Sequence, residues 1–486
     1  MSNITFKGYV VTDEQQACID AVTSYEDTKI QAPAGSGKTF TLEASAHFHD
    51  TDGLYVAFNK AIADEAGRRF PSNIECRTGH SLAFRQEGRK YVKRLGKLTG
   101  AMINNAFDIG DSKHFNTPVN KGYKILDTIR KFCYSADDKI SSKHTPKLAI
   151  AVDDKEMAKI EKDLAQHARI VWEEMIDVDS TLPVTHDTYL KVWALSDPDL
   201  RKETIYFDEA QDANPVILKV MNDQDAQKVF VGDKFQQIYG WRGALNAMES
   251  IDTEHEVYIT QSFRFGQDIA DMANNILHSY MEPWRRPPLI KGFKGQESCV
   301  LYRSPEETPN AIICRTNSGV ISNVFTTLAQ GHRVYVQGGV NSIISMLKGA
   351  EDLQNGKRTN NPELSLFKDW SEVVEYSETD SGTDIKAFLS LIKEYGISSL
   401  INTLKGTCNS ARFADITLTT AHKSKGLEWD HVKLHNDFFT PMKGKRLPQG
   451  EINILYVAAT RALHTLDVSN CPACSYEVLR ENFLLG

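Results

Sequence analysis

The chain has 486 residues, 41% hydrophobic, 25% charged and 9% aromatic: an ordinary soluble globular composition, too long for one core, so two or three domains are expected. No run of about 18 apolar residues occurs, which excludes a membrane-spanning helix; the first ten residues lack a charged-then-apolar leader, so an intracellular place is expected. Eight cysteines in so long a chain make no disulfide framework, and a net charge of −8 neither announces nor excludes a nucleic-acid partner, because a basic groove can sit on an acidic protein.

In chain order, residues 29–32 read as a strand, followed by a glycine-rich turn and an apolar-periodic helix over Lys38–Phe48. A strand over 54–58 and a helix over 61–70 come next, then strands at Thr204–Phe207 and 229–231. A second series holds strands at 257–260, Ala311–Cys314, 334–337 and Ile416–Thr420. Strands spaced by helices predict βαβ units and parallel sheets covered on both faces. Between them, Met157, Ile160, Leu164, Val171 and Met175 recur at helical spacing. Residues 85–150 hold 14 Lys/Arg against 6 Asp/Glu, a net +8, which by composition alone fits a solvated helical face as well as a binding one.

The expected organisation is α/β. Residues 1–84 and 203–260 form one P-loop domain and 85–202 a mostly helical insertion in it. Residues 261–340 and 412–486 form a second such domain, with a small insertion over 341–411. Ala34-Gly35-Ser36-Gly37-Lys38-Thr39 sits between strand and helix, the context a phosphate loop requires. Gly35 and Gly37 let backbone N–H groups converge on phosphate oxygens. Lys38 would reach the β/γ-phosphates, and the Thr39 hydroxyl would be a ligand for Mg²⁺. Thr204–Phe207 then delivers Asp208 and Glu209 at a strand end, where α/β sheets place their sites. Asp208 is expected to hold Mg²⁺ and Glu209 to polarise the attacking water. Together these read as an NTP hydrolase.

These and the remaining motifs resemble, in order and over most of the chain, the UvrD/Rep helicases of superfamily 1, subgroup A. Asp13-Glu-Gln15 is similar to the Q motif, and Tyr55–Lys60 and Thr78–Ser81 to the two early strand-contacting motifs. Val231–Ala244 resembles the third motif and Gln261–Arg264 the fourth. Thr419–Trp429 and Tyr456–Ala462 resemble the fifth and sixth. Asp208–Asp212 with Ala210, Lys131–Asp137 and Gly338–Ser342 look most like the helicase part of F-box DNA helicases and prokaryotic or viral relatives. No F-box fits before Thr12, so a ubiquitin-ligase role is not expected.

The resemblance implies two RecA-like domains that use ATP and Mg²⁺ to move single-stranded DNA, unwinding duplex 3′→5′. The Lys425 form of the fifth motif belongs to that subgroup. Gln236 would couple the γ-phosphate to the strand, and Arg264 and Arg461 would sense it. Gln15 would read the adenine edge, with Phe263 and Phe40 on the ring faces, although an arginine usually stands at the Phe40 position. Glu428 would lie near the sugar. Phe58, Asn59, Thr78, His80, Tyr239, Trp241, Arg242, Thr419 and His422 would contact DNA. Expected partners are single-stranded DNA and its junctions with duplex, with recombinase or single-strand-binding proteins as candidates. A monomer in the cytoplasm of a prokaryotic or virus-infected host cell is the expected form. Two other outputs fit the same residues: a translocase that clears proteins from DNA, and a nucleotide-gated binding module without motor action. Cys471 and Cys474 have ligand spacing but no second pair, and His80 and His422 lack ligand partners, so no structural metal is expected.

Overall fold

The structure is a computed structural model that describes residues 4–110, 114–115, 118–146, 148, 152–238, 240, 246–359, 361, 364–365, 367, 369–377, 383–441 and 446–484. Two compact units divide the chain: Met1–Ala32 with Gly37–Ile259, and Pro33–Ser36 with Thr260–Gly486.

The first unit opens with an antiparallel hairpin, β1 (Thr5–Phe6) and β2 (Tyr9–Val10). Its turn residues Lys7 and Gly8 both have positive φ, 49° and 82°, as a two-residue hairpin turn demands. Six strands follow: β3 (Thr28–Gln31), β4 (Gly53–Ala57), β5 (Ile74–Thr78), β6 (Thr204–Phe207), β7 (Gln227–Gly232) and β8 (His255–Tyr258). They pair in the order β5-β4-β6-β7-β3-β8, every pair parallel. Every residue of β3, β4 and β6 is buried, as strands covered on both faces must be.

Helices start where side chains cap them. Thr12 and Gln15 form a reciprocal capping box before α1 (Asp13–Val22), satisfying two N–H groups that the first turn leaves without partners. Gly37, at φ 76°, opens α2 (Lys38–Phe48). Asn59 caps α3 (Lys60–Arg69), and Thr78 with Ser81 caps α4 (Gly79–Gln86). The next helices are α5 (Gly100–Ala106), α6 (Pro118–Tyr134) and α7 (Asp154–Ile176). They share a core of their own, in which Ile160, Leu164, Ala168, Val171 and Met175 of α7 meet Ile125, Ile129 and Phe132 of α6. Met157, expected on that face, is only partly buried. By contrast α8 (His186–Leu195) buries Tyr189, Leu190 and Trp193 against Leu54, Val56, Ile205 and Phe207 of the sheet.

The second unit is a parallel sheet of β9 (Cys299–Leu301), β10 (Ala311–Cys314), β11 (Val334–Val336), β12 (Ile416–Thr420), β13 (Trp429–Leu434) and β14 (Ala462–Asp467). Its order is β11-β12-β10-β13-β14-β9. The helices between β11 and β12 share one core with it, Leu347, Leu391, Leu400 and Leu404 packing with Ile312, Val334 and Ile416. The fold is therefore α/β with two six-stranded parallel sheets, a helical insertion in the first and a small one in the second. All eight cysteines are free thiols. Among the described residues no helix is long and apolar enough to cross a membrane.

Candidate nucleotide and strand site

In the first unit the site is built on the carboxyl edge of the parallel sheet. The order of strands sets β7 between β3, which leads toward the phosphate loop, and β6, which ends at Asp208. Lys38 heads α2 and lies 3.4 Å from Glu209. Thr39 is beside it in the first turn, where the helix N-terminus favours anionic groups.

Asp208 is buried, accepting from the Tyr55 hydroxyl at 2.6 Å and from the Glu209 N–H at 2.8 Å. Burial, and then the neighbouring Glu209 charge, push its carboxyl up to about 6. Burial and the same Asp208 push the Tyr55 phenol far above its usual range, so it stays a donor. A buried oxygen donor with a raised pKa is suited to a hard cation, and Thr39 supplies a second oxygen. These two residues therefore fit Mg²⁺. Glu209 holds φ 52°, a left-handed conformation that costs a non-glycine residue roughly 1–2 kcal/mol. Its carboxylate accepts from Gln211 Nε2 at 2.5 Å.

Gln211 extends the site toward the third motif. Its Oε1 accepts the Asp233 N–H at 3.1 Å, and Asp233 Oδ2 accepts from Gln236 Nε2 at 2.8 Å. A continuous hydrogen-bond chain thus joins Glu209 to Gln236. Gly232 permits it, since a Cβ there would collide with Gln211 Oε1.

Three strand-motif residues of this unit, Phe58, Thr78 and His80, line a cavity of about 280 Å³ together with Asp208, Glu209 and Asp212. Phe58 is 53% exposed. Asn59 accepts the Ile62 N–H at 3.0 Å and Thr78 the Ser81 N–H at 3.1 Å, so both act as helix caps. His80 Nε2 lies 3.2 Å from Asp187 of α8, to which Tyr134 of α6 also donates at 3.1 Å. Tyr239, Trp241 and Arg242 lie outside the described residues. Gln15 is 3% exposed; its amide oxygen accepts the Thr12 N–H at 3.1 Å and its Nε2 donates to Thr41 at 3.4 Å.

The second unit holds the others. Ala34 accepts at its carbonyl from Ser262 Oγ at 2.9 Å, and Gly35 from the Phe263 N–H at 2.7 Å. Ser36 is buried. Arg264 donates from Nε to Glu428 at 2.9 Å and from Nη1 to the Thr460 carbonyl at 3.3 Å. Arg461 is 1% exposed, donating to the Val457 carbonyl at 2.9 Å, the Leu427 carbonyl at 3.3 Å and Thr460 Oγ1 at 3.1 Å. Phe263 is 39% exposed and packs on Phe293 at 5.8 Å. Thr419 is buried in β12, and His422 is partly buried in the short helix Ala421–Ser424. Among the described residues Cys314, His435 and Asp437 have ligand atoms within 4.8 Å of one another. Asp437, however, accepts from the Arg315 and Thr316 N–H groups and the Thr316 hydroxyl, and so holds the residue that caps the helix Asn317–Ala329.

Residues 11–255 match the UvrD/REP helicase N-terminal domain, and residues 415–468 the UvrD-like helicase C-terminal domain. The chain belongs to the UvrD/Rep helicase family. Among the proteins this chain resembles, F-box DNA helicase 1 of Gallus gallus is 29% identical over 98% of this chain and 50% of its own length. F-box DNA helicase protein 1 of Schizosaccharomyces pombe is 31% identical over 93% of this chain and 56% of its own. The ATP-dependent DNA helicase PcrA of Leuconostoc citreum is 25% identical over 63% and 43%. The chain spans about half the length of the F-box helicases it matches.

The roles of Tyr55, Asp187 and the bridging pair Gln211 and Asp233 are not legible in the sequence motifs. Tyr55 stands in an apolar strand, where a tyrosine reads as packing. Gln211 and Asp233 lie inside quoted motifs, but their spacing gives no sign that they meet.

Proposed function

We propose that this chain is an ATP-dependent DNA translocase and helicase that moves 3′→5′ along single-stranded DNA. The observation that carries this reading is the hydrogen-bond chain from Glu209 through Gln211 and Asp233 to Gln236, beside a cavity shared by the hydrolytic carboxylates with Phe58 and His80. It gives a change at the γ-phosphate a short path to residues that face a strand.

In this reading Lys38 and the N–H groups at the start of α2 hold the phosphates, and Glu209 orients the attacking water and takes its proton. Asp208 and Thr39 hold Mg²⁺, which when bound neutralises charge on the phosphate oxygens. Arg264, the more exposed of the two arginines, stabilises transition-state charge. Arg461 joins it only by exchanging its backbone carbonyls for phosphate oxygens. Residues 1–84 and 203–260 form the nucleotide-binding half, 85–202 its insertion, and 261–340 and 412–486 the second half around 341–411. Phe58 stacks on a base without reading sequence. The protein acts as a monomer.

Strand displacement from duplexes with a 3′ or a 5′ single-stranded tail tests this, with Lys38→Ala as the control. Unwinding from the 3′ tail alone, lost in the control, is expected. Unwinding from the 5′ tail overturns the polarity. DNA-stimulated hydrolysis without displacement moves the reading to clearance of bound proteins.

A further inference from the structure

The segment Lys131–Asp137 lies in the stretch between β5 and β6 and forms the end of α6 with the turn after it. It is tied to α8. Lys191 of α8 is buried, donates to the Ser135 carbonyl at 2.8 Å and lies 4.4 Å from the centre of the Phe132 ring. A lysine at the end of a helix satisfies carbonyls that the last turn leaves without partners. The end of α6 and the start of α8 are therefore held as one piece.

That piece presents a carboxylate to the strand-motif residues of α4. Asp187, in the first turn of α8, accepts from the Tyr134 hydroxyl of α6 at 3.1 Å on one oxygen, and its other oxygen lies 3.2 Å from His80 Nε2. An ionised carboxylate only accepts, so Nε2 carries an imidazole proton and the ring orientation is chosen by Asp187. Tyr189 of the same helix meets the His80 ring edge-on at 6.5 Å. The His80 side chain nevertheless stays 41% exposed, and His80, Tyr134 and Asp187 all line the cavity that holds Asp208 and Glu209. An exposed imidazole on a helix has several rotamers open to it, and two contacts from α8 select one.

We propose that Asp187, held by Tyr134, is a positioning residue: it fixes the His80 ring for its contact with the single strand, so that the α6–α8 pair contributes to strand affinity through His80. A ring ordered before the strand arrives loses less freedom on binding. The proposal rests on the strand-binding reading above, but its test needs no turnover. The competing account is structural, because an acid in the first turn of α8 also suits the helix dipole. That account makes no reference to His80.

Fluorescence anisotropy of a labelled single strand decides between them. The full chain is compared with His80→Ala, Asp187→Ala, Asp187→Asn, Tyr134→Phe and the double variant His80→Ala with Asp187→Ala. Asp187→Ala is expected to weaken the strand about three- to tenfold, the scale of immobilising one side chain. Tyr134→Phe moves affinity the same way by less. Asp187→Asn keeps an oxygen for the Nε2 proton and stays within about twofold of the unaltered chain. In the His80→Ala background, Asp187→Ala weakens the strand no further. Losses that add, or an Asp187→Asn that behaves like Asp187→Ala, overturn the positioning role and leave the acid to its helix. Thermal melts check folding. If Asp187→Ala unfolds, the same cycle with Tyr134→Phe and His80→Ala decides the matter. ATP hydrolysis and strand displacement are measured alongside. Coupled His80 and Asp187 in a chain that hydrolyses no ATP sink the motor and keep the positioning role. A chain that unwinds DNA while the two losses add does the reverse, and one that binds no single strand overturns both.

Discussion

Asp208 shows what a candidate nucleotide site costs the fold. A carboxylate buried beside a second one has lost water and gained repulsion, and two hydrogen bonds, from Tyr55 and the Glu209 N–H, offset only part of that. Its folded pKa of about 6 exceeds the unfolded one near 4. The penalty is therefore fully present above pH 6, and it fades as the pH falls through that value and the carboxyl takes up a proton. Asp208→Asn should stabilise the chain by about 1–3 kcal/mol at pH 8 with EDTA present, and by about half as much at pH 5, midway between the two pKa values. Urea unfolding at the two pH values measures it, and an equal gain at both would show that charge is not the cause. ATP hydrolysis should be lost in the same variant. Sites bought with stability in this way are invisible in composition, because Tyr55 and Gln211 read as ordinary strand and motif residues until the sheet brings them together.

At the scale of elements, the sequence was legible where a periodicity or a cap speaks alone. Residues 29–32 and Thr204–Phe207 are short runs that read as strands before a turn, and β3, one residue earlier at Thr28–Gln31, and β6 stand there. β13 was not foreseen: Trp429-Asp-His-Val-Lys-Leu434 mixes charges into its run because only part of it is buried. β14 follows two residues after the helix Gln449–Ala459, with no glycine or proline between them to mark a turn. Which core a helix joins was the least legible feature. α7 is long and amphipathic and α8 short and more apolar, but neither pattern says that α8 packs mainly on the sheet, with only Val192 against the helical core, and α7 on α6. That separation of cores has a measurable consequence. Leu164 of α7 is fully buried, so Leu164→Ala should cost about 2–5 kcal/mol through lost burial and the cavity left behind. Calorimetric ADP affinity should stay unchanged at temperatures where the variant remains folded, because the helical core shares no residue with the clusters beneath the nucleotide site. A fall in ADP affinity parallel to the stability loss would mean that the two cores fold as one.

For the whole molecule, charge is distributed against its sum. The chain totals −8 while residues 85–150 carry +8, so this segment is the net-positive stretch to test for contact with a polyanion. The structure separates its cations by task. Arg94 donates to the carbonyls of Leu182, Met175 and Asp177 and is a structural tie. Lys90 pairs with Glu87 at 2.7 Å, and Arg85 with Glu75 at 3.2 Å. Arg89, Lys93 and Lys97 are exposed and are the residues best placed to meet phosphates. Each phosphate neutralised releases condensed counterions and adds about 0.9 to the slope of log K against log salt for duplex DNA. Replacing all three by alanine should therefore weaken duplex binding and flatten that slope by about 2 to 3, with ADP affinity unchanged. Fluorescence anisotropy of a labelled duplex across a salt series reads both quantities. An unchanged slope would assign these cations to solvation and move the duplex contact elsewhere. A weaker affinity without a flatter slope would point to a disturbed fold rather than to lost phosphate contacts, because only removed ion pairs change the number of counterions released.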